Sequence, residues 1–207
     1  MNKKIDRKII AAGIALILLI IITITLLSGK IISLDNKVHN IIINLRKEKL
    51  TDTMIIITNI CSTYSLIGIS LLALICLKNK KIPILIIMNL ISATLLSQIF
   101  KFIIRRERPI GINLIEESGY SYPSGHSMVS MAFFGLIAYL IYKNIKNKFY
   151  KTLSIISLLV VIFLIGFSRI YLGVHYFSDV LAGFLTAIAY LMIFITLTNK
   201  YKVTKWK

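Results

Sequence analysis

Twelve residues, Ser168 to Asp179 (SRIYLGVHYFSD), concentrate side chains that can do chemistry. An apolar run, Thr152 to Phe167, leads into them, and another leads out from Val180. Arg169, His175 and Asp179 therefore stand at the edge of an apolar stretch. If the chain is helical from about Val174, His175 and Asp179 share a face at i and i+4. A carboxylate so placed holds an imidazole in one tautomer and leaves its other nitrogen free to react. The same residues also suit a snorkelling arginine and a structural His–Asp pair at a membrane boundary. Two clusters upstream decide between these readings.

The first is Lys101 to Pro109 (KFIIRRERP). Lys101, Arg105 and Arg108 fall at i, i+4 and i+7, which predicts one helical face ending at Pro109. Cations at membrane depth are costly, and where they converge they mark an anionic ligand; a belt of snorkelling basic residues is the alternative. The second cluster is Ser121 to Ser127 (SYPSGHS). Its Pro and Gly predict a tight turn, with Ser124 as the N-cap of a following helix. The free N–H groups of that helix end suit a phosphate, and His126 stands there to donate a proton to a leaving oxygen. An ordinary capped turn with a surface histidine is the plainer alternative.

Together the clusters supply fixed cations, a helix N-terminus, two histidines and a carboxylate. That is an inventory for phosphoryl transfer through a covalent phosphohistidine. No cluster has the spacing of a metal site, so neither metal nor cofactor is expected.

The rest of the chain must place these residues in a membrane. Of 207 residues, 57% are hydrophobic and 16% charged, far fewer charges than a soluble domain carries. Mean hydropathy is +0.83. Net charge is +17, from 25 Lys+Arg against 8 Asp+Glu. With such apolar runs the anionic partner is lipid, not nucleic acid. Cys61 and Cys76 lie in one apolar run, and neither a disulfide nor a metal role is expected of them.

Six transmembrane helices are predicted: Ile9–Leu27, about Met54–Leu77, Ile82–Ile104, Ser127–Tyr142, Thr152–Phe167 and Val180–Thr198. The first has the layout of a signal peptide but is too long, and no small-x-small site follows it. Between the first two, Ile31–Leu50 is amphipathic. Leu34, Val38, Ile41, Ile42 and Leu45 make one face and Asp35, Lys37, Asn40, Asn44, Arg46 and Lys47 the other, which predicts a helix lying in the interface. His39 falls on its polar side, where solvent is expected. The reading is an all-α polytopic membrane protein forming a single domain over residues 1–207. Fifteen of the 25 basic residues fall on one side if both termini are cytoplasmic. That arrangement puts all three clusters on the outer face.

The three clusters resemble the signatures of the type 2 phosphatidic acid phosphatase (PAP2) family: K-x6-R-P, P-S-G-H and S-R-x5-H-x3-D. They read here as Lys101…Arg108-Pro109, Pro123-Ser124-Gly125-His126 and Ser168-Arg169…His175…Asp179. The resemblance implies His175 as nucleophile, Asp179 as the group orienting it, and His126 as general acid and then activator of water. It implies Lys101, Arg108 and Arg169 as phosphate ligands, with Ser124 and the backbone of Gly125. Arg105 is an additional candidate, since the helical-face argument favours it over Arg106. The implied substrate is a lipid phosphate reaching the site from within the membrane: undecaprenyl diphosphate, phosphatidylglycerophosphate or phosphatidic acid. The family, and not these residues, favours the polyprenyl diphosphate. The loop Ile110–Tyr122 is expected at the head group, where Glu116 and Glu117, if inward, would disfavour further negative charge. A lipid phosphotransferase and a non-catalytic binder of anionic lipid use the same inventory and stay open. A channel would want polar residues at mid-membrane, which these clean runs lack.

Overall fold

The computed structural model describes residues 7–200, and within them the chain is all-helical. Eight helices follow in order: α1 Arg7–Leu27, α2 Ile32–Asn44, α3 Glu48–Asn59, α4 Thr63–Cys76, α5 Lys81–Ile104, α6 Gly125–Asn144, α7 Lys148–Tyr171 and α8 Phe177–Lys200. Five of them (α1, α5, α6, α7 and α8) are each long and apolar enough to cross a membrane. The pair α3 and α4, bent by 47°, is apolar enough to make a sixth as one broken span. The expected count of six is reached with that pair taken as a single crossing, in place of the continuous helix expected over Met54–Leu77. Part of the basic N-terminus (1–6) and of the basic tail (201–207), on which the expected sidedness leans, lies outside the described residues.

Sequence explains most of these elements directly. α1 is apolar all round, and its Ile17, Ile20 and Ile24 are more than half exposed. Such surfaces are stable only against lipid. α6 is the central helix, with Met128, Ala132, Phe133 and Leu136 fully buried. It packs against α5, α7 and α8, while α1 lies along α8 and α3 along α7. Within the span, Asn89 Nδ2 donates to the Ala132 carbonyl at 2.9 Å, tying α5 to α6. The break in the sixth span sits at 60–62, where Ser62 accepts from the Ser65 N–H at 3.2 Å and starts α4 as a new helix.

The amphipathic segment differs from expectation. The continuous helix expected over Ile31–Leu50 stops at Asn44, and the chain restarts at Glu48 as α3. α2 also faces inward with part of its polar side. Asp35, His39 and Ile42, at i, i+4 and i+7, are its buried residues. Leu34 and Ile41 point outward, 47% and 62% exposed. The helix thus meets the protein along the seam between its two stripes: Asp35 and His39 from the polar side and Val38 and Ile42 from the apolar side turn inward, and Lys37, Asn40 and Asn44 stay exposed. His39 is correspondingly buried rather than solvated.

One close approach positions the site. A Cβ on Gly183 would meet the Ser124 carbonyl oxygen at 2.7 Å and the Ser127 Cβ at 3.0 Å. Only glycine lets α8 lie this close to the start of α6. The Ser124 N–H can then donate to the Asp179 carbonyl at 3.0 Å.

Candidate active site

All three clusters meet at one end of the bundle, where α5 and α7 finish and α6 and α8 begin. The last turn of α7 carries Arg169, whose carbonyl accepts from the N–H groups of Val174 (3.2 Å) and His175 (3.3 Å). Gly173, at φ 74°, makes this turn. The turn delivers His175 to the site just before α8 opens at Phe177, so His175 is not itself helical.

His175 and Asp179 lie closer to a relay than to a direct pair. Their Nδ1 and Oδ2 are 3.7 Å apart, beyond hydrogen-bond reach. Ser121 stands between them. Its hydroxyl donates to Asp179 Oδ2 at 2.5 Å and lies 3.1 Å from His175 Nδ1. With that hydroxyl proton given to the carboxylate, Nδ1–H is the donor to Ser121 and Nε2 carries the lone pair. Nε2 faces Arg108 Nη1 at 3.2 Å. Burial pushes the His175 imidazole down to about 4, against the opposing pull of Asp179. The ring is therefore neutral at physiological pH.

Asp179 is fully buried and its remaining acceptor sites are filled. Oδ2 also takes the Tyr176 N–H at 2.9 Å, and Oδ1 takes Arg106 Nη1 at 2.6 Å. Arg106 in turn holds Asp35 Oδ2 through Nη2 at 2.7 Å. Asp35 closes the circle by accepting from the Ser178 N–H (2.9 Å) and hydroxyl (2.6 Å). Burial disfavours the Arg106 charge, but Asp179 and Asp35 outweigh it and hold the guanidinium above its ordinary value. The ring of Tyr176 stacks under it at 4.0 Å.

This circle corrects the helical-face argument for Arg105. α5 ends at Ile104, and Arg105 caps it in the left-handed region at φ 52°. Its Nε donates to the Phe102 carbonyl at 3.0 Å and the residue is exposed. Reversing the chain there turns Arg106 inward. Arg108 likewise reaches the site from a loop and not from the face of a helix. Its guanidinium is held by the carbonyls of Val174, Gly119 and Ser118, all at 2.9 Å.

The other expected residues converge. Ser124 caps α6 as read from sequence, accepting from the Ser127 N–H at 3.4 Å and hydroxyl at 2.9 Å. Lys101, Arg108, Gly125 and His126 line one cavity of about 680 Å³. Arg169 is buried; its Nη1 donates to Thr58 Oγ1 at 2.7 Å and its Nη2 pairs with Glu117. Glu117 faces the site and also lies 3.8 Å from Arg108. Four site residues escaped the sequence reading: Ser121, Arg106, Asp35 and Ser97. The Ser97 hydroxyl is buried beside Gly125 with no partner among the described residues. An S-x-P-S-G-H spacing was visible for Ser121; Asp35 lies too far along the chain for any local pattern to show it.

The cavity is amphipathic along its length. Lys101, Arg108 and His126 mark one end, and Leu66, Ile67 and Leu95 wall the rest between α4 and α5. Such a site accepts an anion attached to an apolar body.

Comparison with known proteins gives the same picture. A family model described as the PAP2 superfamily matches residues 83–202. A phosphatidylglycerophosphatase B from Bacillus subtilis is 36% identical over 115 residues, an aligned stretch taking in only 55% of each chain. An undecaprenyl-diphosphatase from Sulfolobus acidocaldarius is 30% identical over 161 residues, 74% of each chain. The crystal structure of a transmembrane PAP2-type phosphatidylglycerolphosphate phosphatase from Bacillus subtilis superposes with a TM-score of 0.83. It covers 92% of this chain and 96% of that one at 26% identity. With a family match over more than half its length, three intact motifs that meet at one end of the bundle, and a multi-pass helical bundle that superposes over 92% of the chain, this chain belongs to the PAP2 superfamily.

Proposed function

We propose that the protein is a lipid phosphatase that removes the terminal phosphate of a polyprenyl diphosphate, or the phosphate of a phospholipid such as phosphatidylglycerophosphate or phosphatidic acid. The observation that carries this reading is the single cavity joining the Lys101–Arg108–His126 end to the apolar wall between α4 and α5. A tail held between those helices brings its phosphate to the cationic end without leaving the membrane.

In this reading His175 Nε2 attacks phosphorus while the bond to the lipid oxygen breaks. His126 gives that oxygen its proton. Water then attacks the phosphohistidine, His126 takes the water's proton, and phosphate leaves with His175 restored. Asp179 acts on His175 through Ser121, which keeps the lone pair on Nε2. Lys101, Arg108 and Arg169, with the cap at Ser124 and the Gly125 backbone, stabilise charge on the transferring group. The basic connections 78–81 and 142–151 join helix ends opposite the site, which supports an outer-face site with the intervening loops inside.

The test is phosphate release by purified protein in detergent, with EDTA present. The substrates are undecaprenyl diphosphate, phosphatidylglycerophosphate and phosphatidic acid. Release from at least one of them is expected, without any added acceptor alcohol. Release that needs an acceptor would make the protein a transferase. No release by folded protein would leave only lipid binding.

The pH dependence has a defined sign. His175 must be neutral to attack, and burial has moved its titration down to about 4. The acid limb of kcat/KM, corrected for ionisation of the substrate, is therefore expected near pH 4. A limb at the ordinary imidazole value, about 6.5, would contradict the buried Ser121-linked geometry.

A further inference from the structure

Glu117 is a carboxylate in a site built for an anion. Its side chain is 27% exposed, yet one oxygen pairs with Arg169 Nη2 and the other lies 3.8 Å from Arg108 Nη2. These are two of the three cations that the phosphatase reading assigns to phosphate. Burial would raise this carboxyl, but Arg169 and then His126 and Arg108 outweigh it and hold it below the usual carboxylate range. Glu117 is thus charged across the working pH range.

Two of the five N–H donors of Arg169 have side-chain partners. Nη1 is taken by Thr58 and Nη2 by Glu117, while Nε is buried without a partner. An arginine grips a phosphate through its planar fork. Glu117 occupies the Nη2 edge of that fork and brings a negative charge to it, so an incoming oxyanion competes with Glu117 for Arg169. The backbone beside Glu117 is fixed, because Arg108 holds the Ser118 and Gly119 carbonyls. Glu117 also stands between two spaces, the 680 Å³ cavity and a second one of about 210 Å³ lined by Arg108, Asn113 and Val174.

We propose that Glu117 is a resident anion that each incoming phosphate must displace from Arg169, and that it thereby sets the oxyanion affinity of the site. Resting on the phosphatase reading above, the displacement has a consequence for turnover. Product phosphate binds less tightly than three free cations would hold it, and Glu117 drives its release by reclaiming Arg169. The ion pairs with Arg169 and Arg108 are made by Glu117 and not by the neighbouring Glu116, so the effect belongs to Glu117 alone.

The experiment measures binding of orthovanadate and inorganic phosphate to the full-length protein in detergent. It reads the shift of thermal unfolding with oxyanion concentration, beside inhibition of phosphate release. Glu117→Gln keeps the size and an amide oxygen for Arg169 but removes the charge. It is expected to bind both oxyanions about tenfold tighter or more, since a like charge has left the site. Glu117→Asp keeps the charge on a shorter arm and should fall between wild type and Gln; it also serves if the Gln variant does not fold. Glu116→Gln should match wild type. Unchanged or weaker oxyanion binding in both Glu117 variants would overturn the proposal. The thermal shift reads oxyanion binding whether or not any lipid is hydrolysed. A protein that binds vanadate as expected but releases no phosphate would refute the phosphatase reading and leave Glu117's role standing.

Discussion

Replacing Arg106 by alanine should destabilise the fold by about 3–5 kcal/mol, the usual cost of removing one partner from a buried ion pair. Two carboxylates depend on this guanidinium. Asp35 and Asp179 both have fully buried side chains, and Arg106 is 2.7 Å from one and 2.6 Å from the other. Alanine leaves two buried negative charges facing each other with only neutral donors. Arg106→Lys should recover part of the loss, because one ammonium can reach either carboxylate but lacks the planar fork that holds both. The neighbouring Arg105→Ala is the internal control. Arg105 is exposed and bonds only to its own helix end, so a change within about 0.5 kcal/mol is expected. Thermal or denaturant unfolding in one detergent compares all three. Equal stability of the two alanine variants would show that the Asp35–Arg106–Asp179 circle contributes nothing. Activity should fall with Arg106→Ala as well, because Asp179 loses the bond that fixes Oδ1 and presents Oδ2 to Ser121.

The larger effect on turnover is expected from His175→Ala: a loss of kcat of about 10⁴-fold or more, the range seen when a covalent nucleophile is removed. The geometry concentrates on one atom. Nδ1 is engaged by Ser121, and Nε2 is left with its lone pair toward the cationic end at Arg108. Alanine offers nothing in its place, while the phosphate ligands stay where they are. The variant should therefore still bind vanadate weakly or substrate well, and fail only in turnover. His126→Ala should lose less, about 10²–10⁴-fold, since a general acid assists a bond cleavage that the cations already favour. If His175→Ala retained activity within tenfold of wild type, the attacking group would have to be sought elsewhere.

How much of this was legible in the sequence depends on the range of each interaction. Ser124 capping α6, and the meeting of Lys101, Arg108, His126 and Arg169, follow from short spacings and from apolar runs long enough to span a membrane. Local pattern misled where the chain turns. Pro109 marks the stop of a helix in sequence, yet α5 ends five residues earlier because Arg105 takes the left-handed conformation. That single cap exchanges the roles expected of Arg105 and Arg106. Periodicity showed α2 to be amphipathic but could not say what its polar face meets. A polar stripe reads as solvated unless a buried partner exists, and Asp35 has one 71 residues away. Ser121 between His175 and Asp179 was hidden for the same reason: i and i+4 spacing suggests contact, and only the turn at Gly173 moves His175 off the helix.

The most direct measurement is to trap the intermediate. Purified protein would be mixed with lipid substrate labelled in its terminal phosphate, quenched in alkali within the first turnover, and digested for peptide mapping. Label is expected on the peptide carrying His175, stable in alkali and lost in acid as a phosphoramidate must be, and absent from His175→Ala. An enzyme that releases phosphate yet never carries label on His175 would contradict the phosphohistidine mechanism.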